Sequence, residues 1–570
     1  MSGAAFPPPP PAKSGGPAHA PPGRPRRRST LIAVIAVATA LVVALGAGAW
    51  WLLRTQGSPQ QAAADFAAAW QAGDHAAMGA LTAQGADLSG PYQALAEDLG
   101  VTATQVEVTS VAETGDQAAT AAFTATLQLA DAGAWTYEGS LPLTVAERRW
   151  TVDWSPAAVH PDLAEGQRFG LAAQWGERGA ILAADGSRLD GSGASGSVQM
   201  LTGTLGEAEA GDLERLGPAY AEGDPAGVGG IQQAWEAHLA GTPTSTVQIL
   251  DAQGEPVADV GTIEGEPGAD VHTSLDPAVQ EAAASAIVDQ DTPTALVALR
   301  PSTGEILAAA NVPGGFNRAI SGQYPPGSTF KVVTATGLLA AGLSLDDTVQ
   351  CPRNTEVGGQ TFRNFEFGEL GSTSFLRAFA ESCNTTMVMQ TQELLDPQAL
   401  TDAAELYGFN SELAIGIPDE SGSFPVPADQ VQLSTASFGQ GLVTASPLLM
   451  AGVAAAVADG QWRPPVLVTE PQVEQEASAR PIEHAEQLRE LMGAVVESGS
   501  AADAGLPSGT YGKTGTAEYG TAPEGGEPPT HGWFIGFRPD DDLAFAVIVE
   551  EGESGGSAAA PVAADFLGNL

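Results

Sequence analysis

The chain has 570 residues, enough for about three or four domains, and carries a formal net charge of −45. Such a negative field repels nucleic acid, so we exclude a nucleic-acid partner. Two cysteines are too few for a disulfide framework, and seven histidines without an H-E-x-x-H string predict no metal site; we expect no cofactor either.

The N-terminal part predicts a tail followed by a membrane anchor. Residues 1–29 are rich in Pro, Gly and Ala, contain no acidic residue, and are predicted to be a disordered cytoplasmic tail. Residues 30–54 contain an uncharged run, Leu31 to Leu53, that is long enough to span a bilayer. The arginines at residues 24–28 predict a cytoplasmic N-terminus and an extracellular remainder.

A cleaved signal peptide is the alternative interpretation of this segment. Ala47 and Ala49 form an A-x-A-like site of the kind that signal peptidase cleaves. However, the apolar run is long for a signal peptide and continues past that site. We therefore favour an uncleaved, single-pass anchor in the cell membrane.

Residues 57–157 are predicted to form a small α+β domain. Ala62, Phe66, Ala69 and Trp70 recur at helical spacing near its start. Strand-like alternation follows at residues 101–111 and 118–129, and again around residues 150–154. The pattern predicts a helical start followed by an antiparallel sheet, and it contains no catalytic set.

Residues 158–270 are rich in Gly and Ala and hold the string R-G-A-I-L-A-A-D-G at 178–186. Residues 271–570 begin with an N-cap and first turn at Asp276 and Pro277, which lead into an Ala-rich helix. Segments 295–299 and 306–310 predict a β-hairpin, and 533–537 and 543–549 predict late strands of the same sheet. A last helix at 558–567 is predicted to close that sheet.

Three short strings occur in order in this last region: S-T-F-K at 328–331, S-C-N at 382–384 and K-T-G-T at 513–516. Each alone is weak evidence, because such strings arise by chance in long chains. Together, each in a fitting local context, they specify a site. S-T-F-K opens a helical run, S-C-N lies between two helical stretches, and K-T-G-T reads as the edge strand of the sheet.

The first string supplies a nucleophile and a base. Ser328 is predicted at a helix N-terminus with Lys331 one turn further on, on the same face. A serine hydroxyl is a poor nucleophile until a base removes its proton. Lys331 can be that base only when neutral, so the site must lower its pKa by burial and neighbouring positive charge.

The third string is expected to bind the substrate. Lys513 adds positive charge, and the hydroxyls of Thr514 and Thr516 can hold a terminal carboxylate. Gly515 is expected to leave space for a substrate backbone.

The ordered S-x-x-K, S-x-N and K-T-G strings resemble those of penicillin-binding proteins and serine β-lactamases. The G-Q-G segment at 439–441 and H-G-W-F at 531–534 also look like segments of that family. The resemblance implies a multidomain α+β protein whose transpeptidase domain, residues 271–570, has a serine β-lactamase-like fold with a central antiparallel sheet flanked by helices.

The earlier regions fit the class B branch of the family. Residues 57–157 resemble, in length and position, the cone-shaped nuclear-transport-factor-2-like domain of resistance-type class B members. Residues 158–270 resemble the family's pedestal, or dimerisation, domain through the string at 178–186, although Ala183 and Ala184 replace the Asp and Arg usual there. No room remains for a glycosyltransferase domain before the pedestal.

The resemblance also implies residue roles. Ser382 would relay a proton to the leaving amine, and Asn384 would hydrogen-bond the amide carbonyl of the substrate. The backbone N–H groups of Ser328 and Thr516 would form the oxyanion hole, worth roughly 3–4 kcal/mol of barrier for each donor.

The function implied is a peptidoglycan D,D-transpeptidase that cross-links stem peptides ending in D-Ala-D-Ala and is trapped by β-lactams. A D,D-carboxypeptidase, a non-catalytic cell-wall scaffold and a β-lactam sensor are the alternatives. Expected partners are stem peptides, β-lactams, the cytoplasmic membrane and other cell-wall synthesis proteins such as a glycosyltransferase.

Two further expectations concern residues near the motifs. An extracellular location permits a disulfide between Cys351 and Cys383, but we favour a free Cys383 that fills space beside the site. No E-x-x-L-N string follows S-C-N, and Glu420 is expected in an exposed loop, so we predict slow hydrolysis of a penicilloyl adduct.

Overall fold

A computed structural model describes residues 35–43, 54–130, 132–420, 422–522 and 528–570. Residues 35–43 of the predicted anchor are helical, and the rest of the anchor and the predicted tail lie outside the described residues, apart from Arg54. Across these described ranges, no helix combines the length and the apolar character that a membrane crossing requires.

Residues up to Gln128, together with Ala134–Phe169 and Ile249–Pro256, form one unit, and the remainder forms a second unit. The first unit begins with helices and continues as a four-stranded sheet in which strands that are consecutive in the chain lie side by side. Its elements are α1 Pro59–Gln71, α2 His75–Ala80, α3 Ser89–Leu99, β1 Val101–Gly115, β2 Ala118–Leu129, β3 Gly133–Ala146 and β4 Arg149–Val152.

The first unit confirms the predicted helix-then-sheet pattern. Ser58 caps α1 by accepting a hydrogen bond from the Gln61 N–H at 3.2 Å. Trp70 of α1 packs edge-on against Phe123 of β2, with the ring centroids 5.6 Å apart. The strand β3 was not predicted, because Gly139 and Pro142 interrupt its pattern; pairing with β4 specifies it instead.

The segment that follows is built from short elements. They are β5 Arg168–Gln174, β6 Ile181–Leu182, α4 Gly196–Thr202, β7 Thr204–Glu207, α5 Leu213–Leu216, β8 Pro225–Val228, α6 Gly230–Ala234, α7 Glu236–Ala240, β9 Thr244–Leu250, β10 Pro256–Ile263 and β11 Val271–Thr273. Arg178, in the string at 178–186, forms an ion pair with Glu236 at 2.7 Å. Glu236 also accepts from the hydroxyl of Tyr220 at 2.6 Å, so Arg178 is fixed within this segment.

The rest of the second unit contains the predicted central sheet. The helices are α8 Pro277–Ile287, α9 Arg318–Ser321, α10 Lys331–Ala340, α11 Phe375–Ala380, α12 Asn384–Leu394, α13 Pro397–Leu406, α14 Gln430–Ala436, α15 Pro447–Asp459, α16 Ala485–Ser498 and α17 Ala560–Gly568. The strands are β12 Thr294–Leu299, β13 Ile306–Val312, β14 Thr348–Cys351, β15 Asn354–Val357, β16 Gln360–Arg363, β17 Gly371–Ser374, β18 Gly422–Ser423, β19 Thr444–Ala445, β20 Gln461–Trp462, β21 Val468–Glu470, β22 Arg480–Pro481, β23 Tyr511–Glu518, β24 Thr530–Arg538 and β25 Leu543–Val549.

The central sheet has the order β13-β12-β25-β24-β23, with antiparallel neighbours throughout. Every residue of β12 and β25 is buried, so helices cover both faces. The apolar helix α15 packs on β12, β24 and β25, while α8 and α17 pack on each other. The predicted hairpin, late strands and closing helix are therefore confirmed, and β23 lies at the edge of the sheet.

Candidate active site

The nucleophile segment is a 3-10 turn, Gly327–Phe330, that continues directly into α10. Because a 3-10 helix has three residues per turn, Ser328 and Lys331 lie above one another on the same face. Gly327 has a φ of +53°, and its N–H donates to the Gly439 carbonyl at 2.9 Å. The Ser328 hydroxyl makes no hydrogen bond to another residue of the described chain.

Lys331 is fully buried at the start of α10. Its Nζ donates to the Ser382 carbonyl and to Asn384 Oδ1, both at 2.6 Å, and lies 3.2 Å from Ser382 Oγ. Burial, reinforced by the charge of Lys513, holds the pKa of Lys331 well below its ordinary value. The neutral form of this amine has two N–H donors and one lone pair, and the lone pair is the group that can accept a proton.

The S-C-N string forms the predicted turn between α11 and α12. Ser382 has a φ of +58°, which is unusual for a residue with a side chain and is typical of functional sites. Its Oγ accepts a hydrogen bond from Lys513 Nζ at 2.9 Å. Asn384 is the first residue of α12, and its Nδ2 donates to the Arg363 carbonyl at 3.0 Å.

A disulfide joins Cys383 in this turn to Cys351 at the end of β14. Our expectation of a free Cys383 is therefore wrong. Two buried cysteines from β14 and the S-C-N turn lie with their Cα atoms 6.2 Å apart, within the range that a disulfide spans. The sequence does not reveal this contact, because it depends on how β14 packs beside α12.

The K-T-G-T string lies on β23, as predicted, with Lys513 fully buried. Its Nζ also donates to the Thr514 carbonyl at 3.0 Å, and burial lowers the pKa of Lys513 to about 7. The Thr514 hydroxyl shares a 2.6 Å hydrogen bond with Ser500, while Thr516 Oγ1 accepts from the Gly555 N–H at 3.4 Å.

Gly515 lies in close contact with the nucleophile turn and with β24. A Cβ at this position would lie 2.9 Å from Thr329 Cγ2 and 3.0 Å from both the Pro326 carbonyl oxygen and Trp533 Cβ. The nucleophile turn and β24 therefore occupy the position that a side chain at Gly515 would take, and the expectation that this glycine leaves space for a substrate backbone stays a prediction. This glycine allows β23 to approach the nucleophile closely.

Thr516 faces the nucleophile turn with its backbone. Its carbonyl oxygen lies 2.7 Å from the position that a Cβ on Gly327 would take. In an antiparallel strand the N–H and C=O groups of one residue face the same side, so the Thr516 N–H also points to the nucleophile. This is the orientation that an oxyanion donor needs.

Sequence reasoning missed three residues that border this site. Ser500, just after α16, bonds the Thr514 hydroxyl; Arg363 accepts from Asn384 through its carbonyl; and Trp533 donates from Nε1 to the Pro325 carbonyl at 3.1 Å. Of these three residues, only Trp533 lies in a segment that the sequence connects with the family, the H-G-W-F string. Ser500 and Arg363 stand outside any motif and are recognised only by their contacts.

The predicted site residues converge. Two buried lysines, Lys331 of S-T-F-K and Lys513 of K-T-G-T, both contact the hydroxyl of Ser382, which belongs to the S-C-N string. Ser328 lies one turn before Lys331, and the backbone of Thr516 faces its turn. The set provides a serine nucleophile, a neutral amine, a hydroxyl between two amines and an edge strand, which defines a serine acyl-transfer site without a histidine.

Comparison with known families assigns three regions. The penicillin-binding protein transpeptidase domain matches residues 294–568, the NTF2-like N-terminal transpeptidase domain matches 58–167, and the penicillin-binding protein dimerisation domain matches 193–273. A peptidoglycan D,D-transpeptidase PbpA of Mycolicibacterium smegmatis is 32% identical over 395 residues, covering 58% of this chain and 77% of that protein. The chain therefore belongs to the penicillin-binding protein transpeptidase family.

Solved structures show the same fold. Helicobacter pylori PBP2, in a complex with MreC, matches 70% of this chain and 98% of its own with a TM-score of 0.60 and 17% identity. Pseudomonas aeruginosa PBP2, bound to WCK 5153, matches 70% of this chain and 96% of its own with a TM-score of 0.58 and 24% identity. The multidomain α+β fold predicted from the sequence is confirmed, and our domain boundaries remain predictions.

Proposed function

We propose that the chain is a peptidoglycan D,D-transpeptidase that cross-links stem peptides through a Ser328 acyl-enzyme and is inhibited covalently by β-lactams. The observation that carries this proposal is the meeting of Lys331 and Lys513 at Ser382 Oγ, at 3.2 and 2.9 Å. Family membership and the D,D-transpeptidase PbpA relative support the same reaction.

Acylation begins when neutral Lys331 removes the proton of Ser328. The Ser328 Oγ attacks the carbonyl carbon of the penultimate D-Ala, and the N–H groups of Ser328 and Thr516 stabilise the oxyanion. The C–N bond then breaks, and the leaving D-Ala amine takes a proton from Ser382, which regains one from protonated Lys331. Lys513 and Thr514 bind the carboxylate of the leaving residue.

The second half of the reaction reverses the proton transfers. An amine of a second stem peptide attacks the Ser328 ester, the C–O bond breaks, and Ser328 recovers its proton through Lys331. The ester becomes an amide cross-link. With water as the acceptor, the same residues would act as a D,D-carboxypeptidase, so product analysis with and without an acceptor amine separates the two activities.

We also propose that residues 30–54 anchor the chain and that the catalytic unit is extracellular. The arginines at 24–28 and the apolar run support this orientation. The Cys351–Cys383 disulfide supports it independently, because such bridges persist in oxidising compartments and are rare in the cytosol.

Partners in cell-wall synthesis follow from the family. One similar structure is a complex of PBP2 with MreC, and another is a peptidoglycan synthase complex that coordinates polymerisation and cross-linking. We propose that this chain likewise acts beside other cell-wall synthesis proteins, including a glycosyltransferase.

Fluorescent penicillin tests the proposal on the full chain in membranes. Peptide mapping is expected to place the adduct on Ser328, and Ser328→Ala is expected to remain unlabelled. Ser302→Ala is a matched control, because Ser302 bonds Asp542 in the turn after β12, away from the motifs. An adduct on Ser382, or full labelling of Ser328→Ala, would contradict the assignment. Absence of any labelling would instead favour the non-catalytic scaffold.

A further inference from the structure

Tyr324 is a buried residue at the start of the stretch that leads to the nucleophile. Its N–H donates to the Ala445 carbonyl at 3.1 Å, and its carbonyl accepts from the Ala445 N–H at 2.8 Å. The next two residues, Pro325 and Pro326, have no N–H group and cannot donate a backbone hydrogen bond. Tyr324 is therefore the last residue before Gly327 that can hold this stretch through its own donors.

The hydroxyl of Tyr324 bonds a partly buried acid at the end of the central sheet. It donates to Glu550 Oε1 at 2.6 Å, and Glu550 directly follows β25. The same oxygen accepts from Arg318 Nε at 2.8 Å, and the side chains of Arg318 and Glu550 are 13% and 22% exposed. Burial, reinforced by the bond to Glu550, raises the pKa of Tyr324, so the hydroxyl keeps its proton and remains the donor.

A second strand of the sheet contacts the same stretch. The Tyr324 ring packs edge-on against His531 and Trp533 of β24, with the ring centroids 5.3 and 6.1 Å apart. Trp533 Nε1 also donates to the Pro325 carbonyl at 3.1 Å. Because β25, β24 and β23 are neighbours in the sheet, these contacts attach the nucleophile turn to the sheet that carries Thr516.

The two oxyanion donors of the proposed reaction belong to different elements. The Ser328 N–H lies in the nucleophile turn and the Thr516 N–H on β23, so their spacing depends on how the turn is held against the sheet. We propose that Tyr324 and Glu550 are positioning residues that set this spacing. Glu550 holds the Tyr324 hydroxyl, and Tyr324 holds the turn where both N–H groups reach one oxyanion. The inference rests on the proposed function.

The test measures acylation of the detergent-solubilised full chain by fluorescent penicillin. A concentration series separates the dissociation constant of the first, non-covalent complex from the rate constant of acylation. Tyr324→Phe removes only the hydroxyl and should lower the rate constant about tenfold, because a misplacement of about 1 Å costs up to about a hundredfold. The dissociation constant should stay within about twofold. A contact that served only the stability of the fold would change neither constant in the folded protein.

Tyr220→Phe is a matched control for the loss of a tyrosine hydroxyl. Tyr220, between α5 and β8, donates to Glu236 Oε1 at 2.6 Å, and Glu236 pairs with Arg178 at 2.7 Å. The same three groups therefore meet in a segment outside the three motifs. Tyr220→Phe should lower the unfolding midpoint about as much as Tyr324→Phe does, and should leave acylation unchanged.

Two changes at Glu550 test whether the pair acts as a unit. Glu550→Ala removes the acceptor and should slow acylation by a similar factor, whereas Glu550→Gln keeps an oxygen that can accept from Tyr324 and should restore most of the rate. Tyr324→Phe combined with Glu550→Ala should be no slower than the slower single variant, because both changes remove one interaction. If Glu550→Ala does not fold, Tyr324→Phe alone decides.

Three results would overturn the inference alone. They are a normal rate constant for Tyr324→Phe, a loss confined to the dissociation constant, and additive losses in the double variant. If penicillin does not acylate the wild type, the proposed function fails and the inference fails with it.

Discussion

Removal of the Cys351–Cys383 disulfide should lower the stability of the fold while leaving the geometry of the active site nearly unchanged. The bridge joins residues 32 positions apart, for which the chain-entropy relation gives about 3.7 kcal/mol of stabilisation. The change tested is Cys351→Ala combined with Cys383→Ser. Serine is chosen because Cys383 Sγ caps α12 by accepting from the Thr386 N–H, and serine is a good N-cap.

The turn has other attachments to β14 and the residue that follows it. Thr385 Oγ1 donates to the Pro352 carbonyl at 2.7 Å, and Thr386 Oγ1 donates to the Gln350 carbonyl at 2.8 Å. These bonds do not depend on the bridge, so Ser382 and Asn384 should keep their positions in the folded state. The variant is therefore expected to unfold earlier yet react at nearly the normal rate.

Thermal unfolding and penicillin acylation should be measured on the same preparation of the full chain. The unfolding midpoint should fall by roughly 7 °C, at about 2 °C per kcal/mol for a large unit. The acylation rate at 25 °C should change less than about threefold, or roughly 0.6 kcal/mol of barrier. An unchanged midpoint, or an acylation rate that falls a hundredfold, would refute this reasoning.

Three more predictions concern the site. Lys331→Met should slow penicillin acylation by about 10²–10⁴-fold, the usual contribution of a general base, with unchanged circular dichroism; a near-normal rate would assign the base elsewhere. Because burial lowers the pKa of Lys513 to about 7, its charge is present below pH 7 and lost above it, so acylation by an anionic penicillin should decline above pH 7. Lys513→Gln should be slower at pH 6 and lack that decline, and a decline that persists would exclude Lys513 as its source. Gly515→Ala should slow acylation at least about tenfold, since the added methyl displaces the nucleophile turn, whereas Gly568→Ala, in open space, should not.

The chemistry of this protein could be predicted from its sequence because it depends on short local patterns. A serine and a lysine three positions apart share a face of any helical turn, so S-T-F-K identified Ser328 and Lys331 without a tertiary structure. The sheet was predictable for the same reason: strands such as Leu543–Val549 are continuous apolar runs, which mark buried strands wherever they occur.

The contacts between segments that are distant in the chain were decided by the tertiary structure alone. The disulfide required β14 to lie beside the S-C-N turn, and the close packing of Gly515 against the nucleophile turn is likewise a contact between distant segments. Arg363 and Glu518 are 155 positions apart and belong to no motif, so only folding brings them together. Local patterns fix which groups can react; the packing of distant segments fixes which groups meet, and hence which substrate the site can accept.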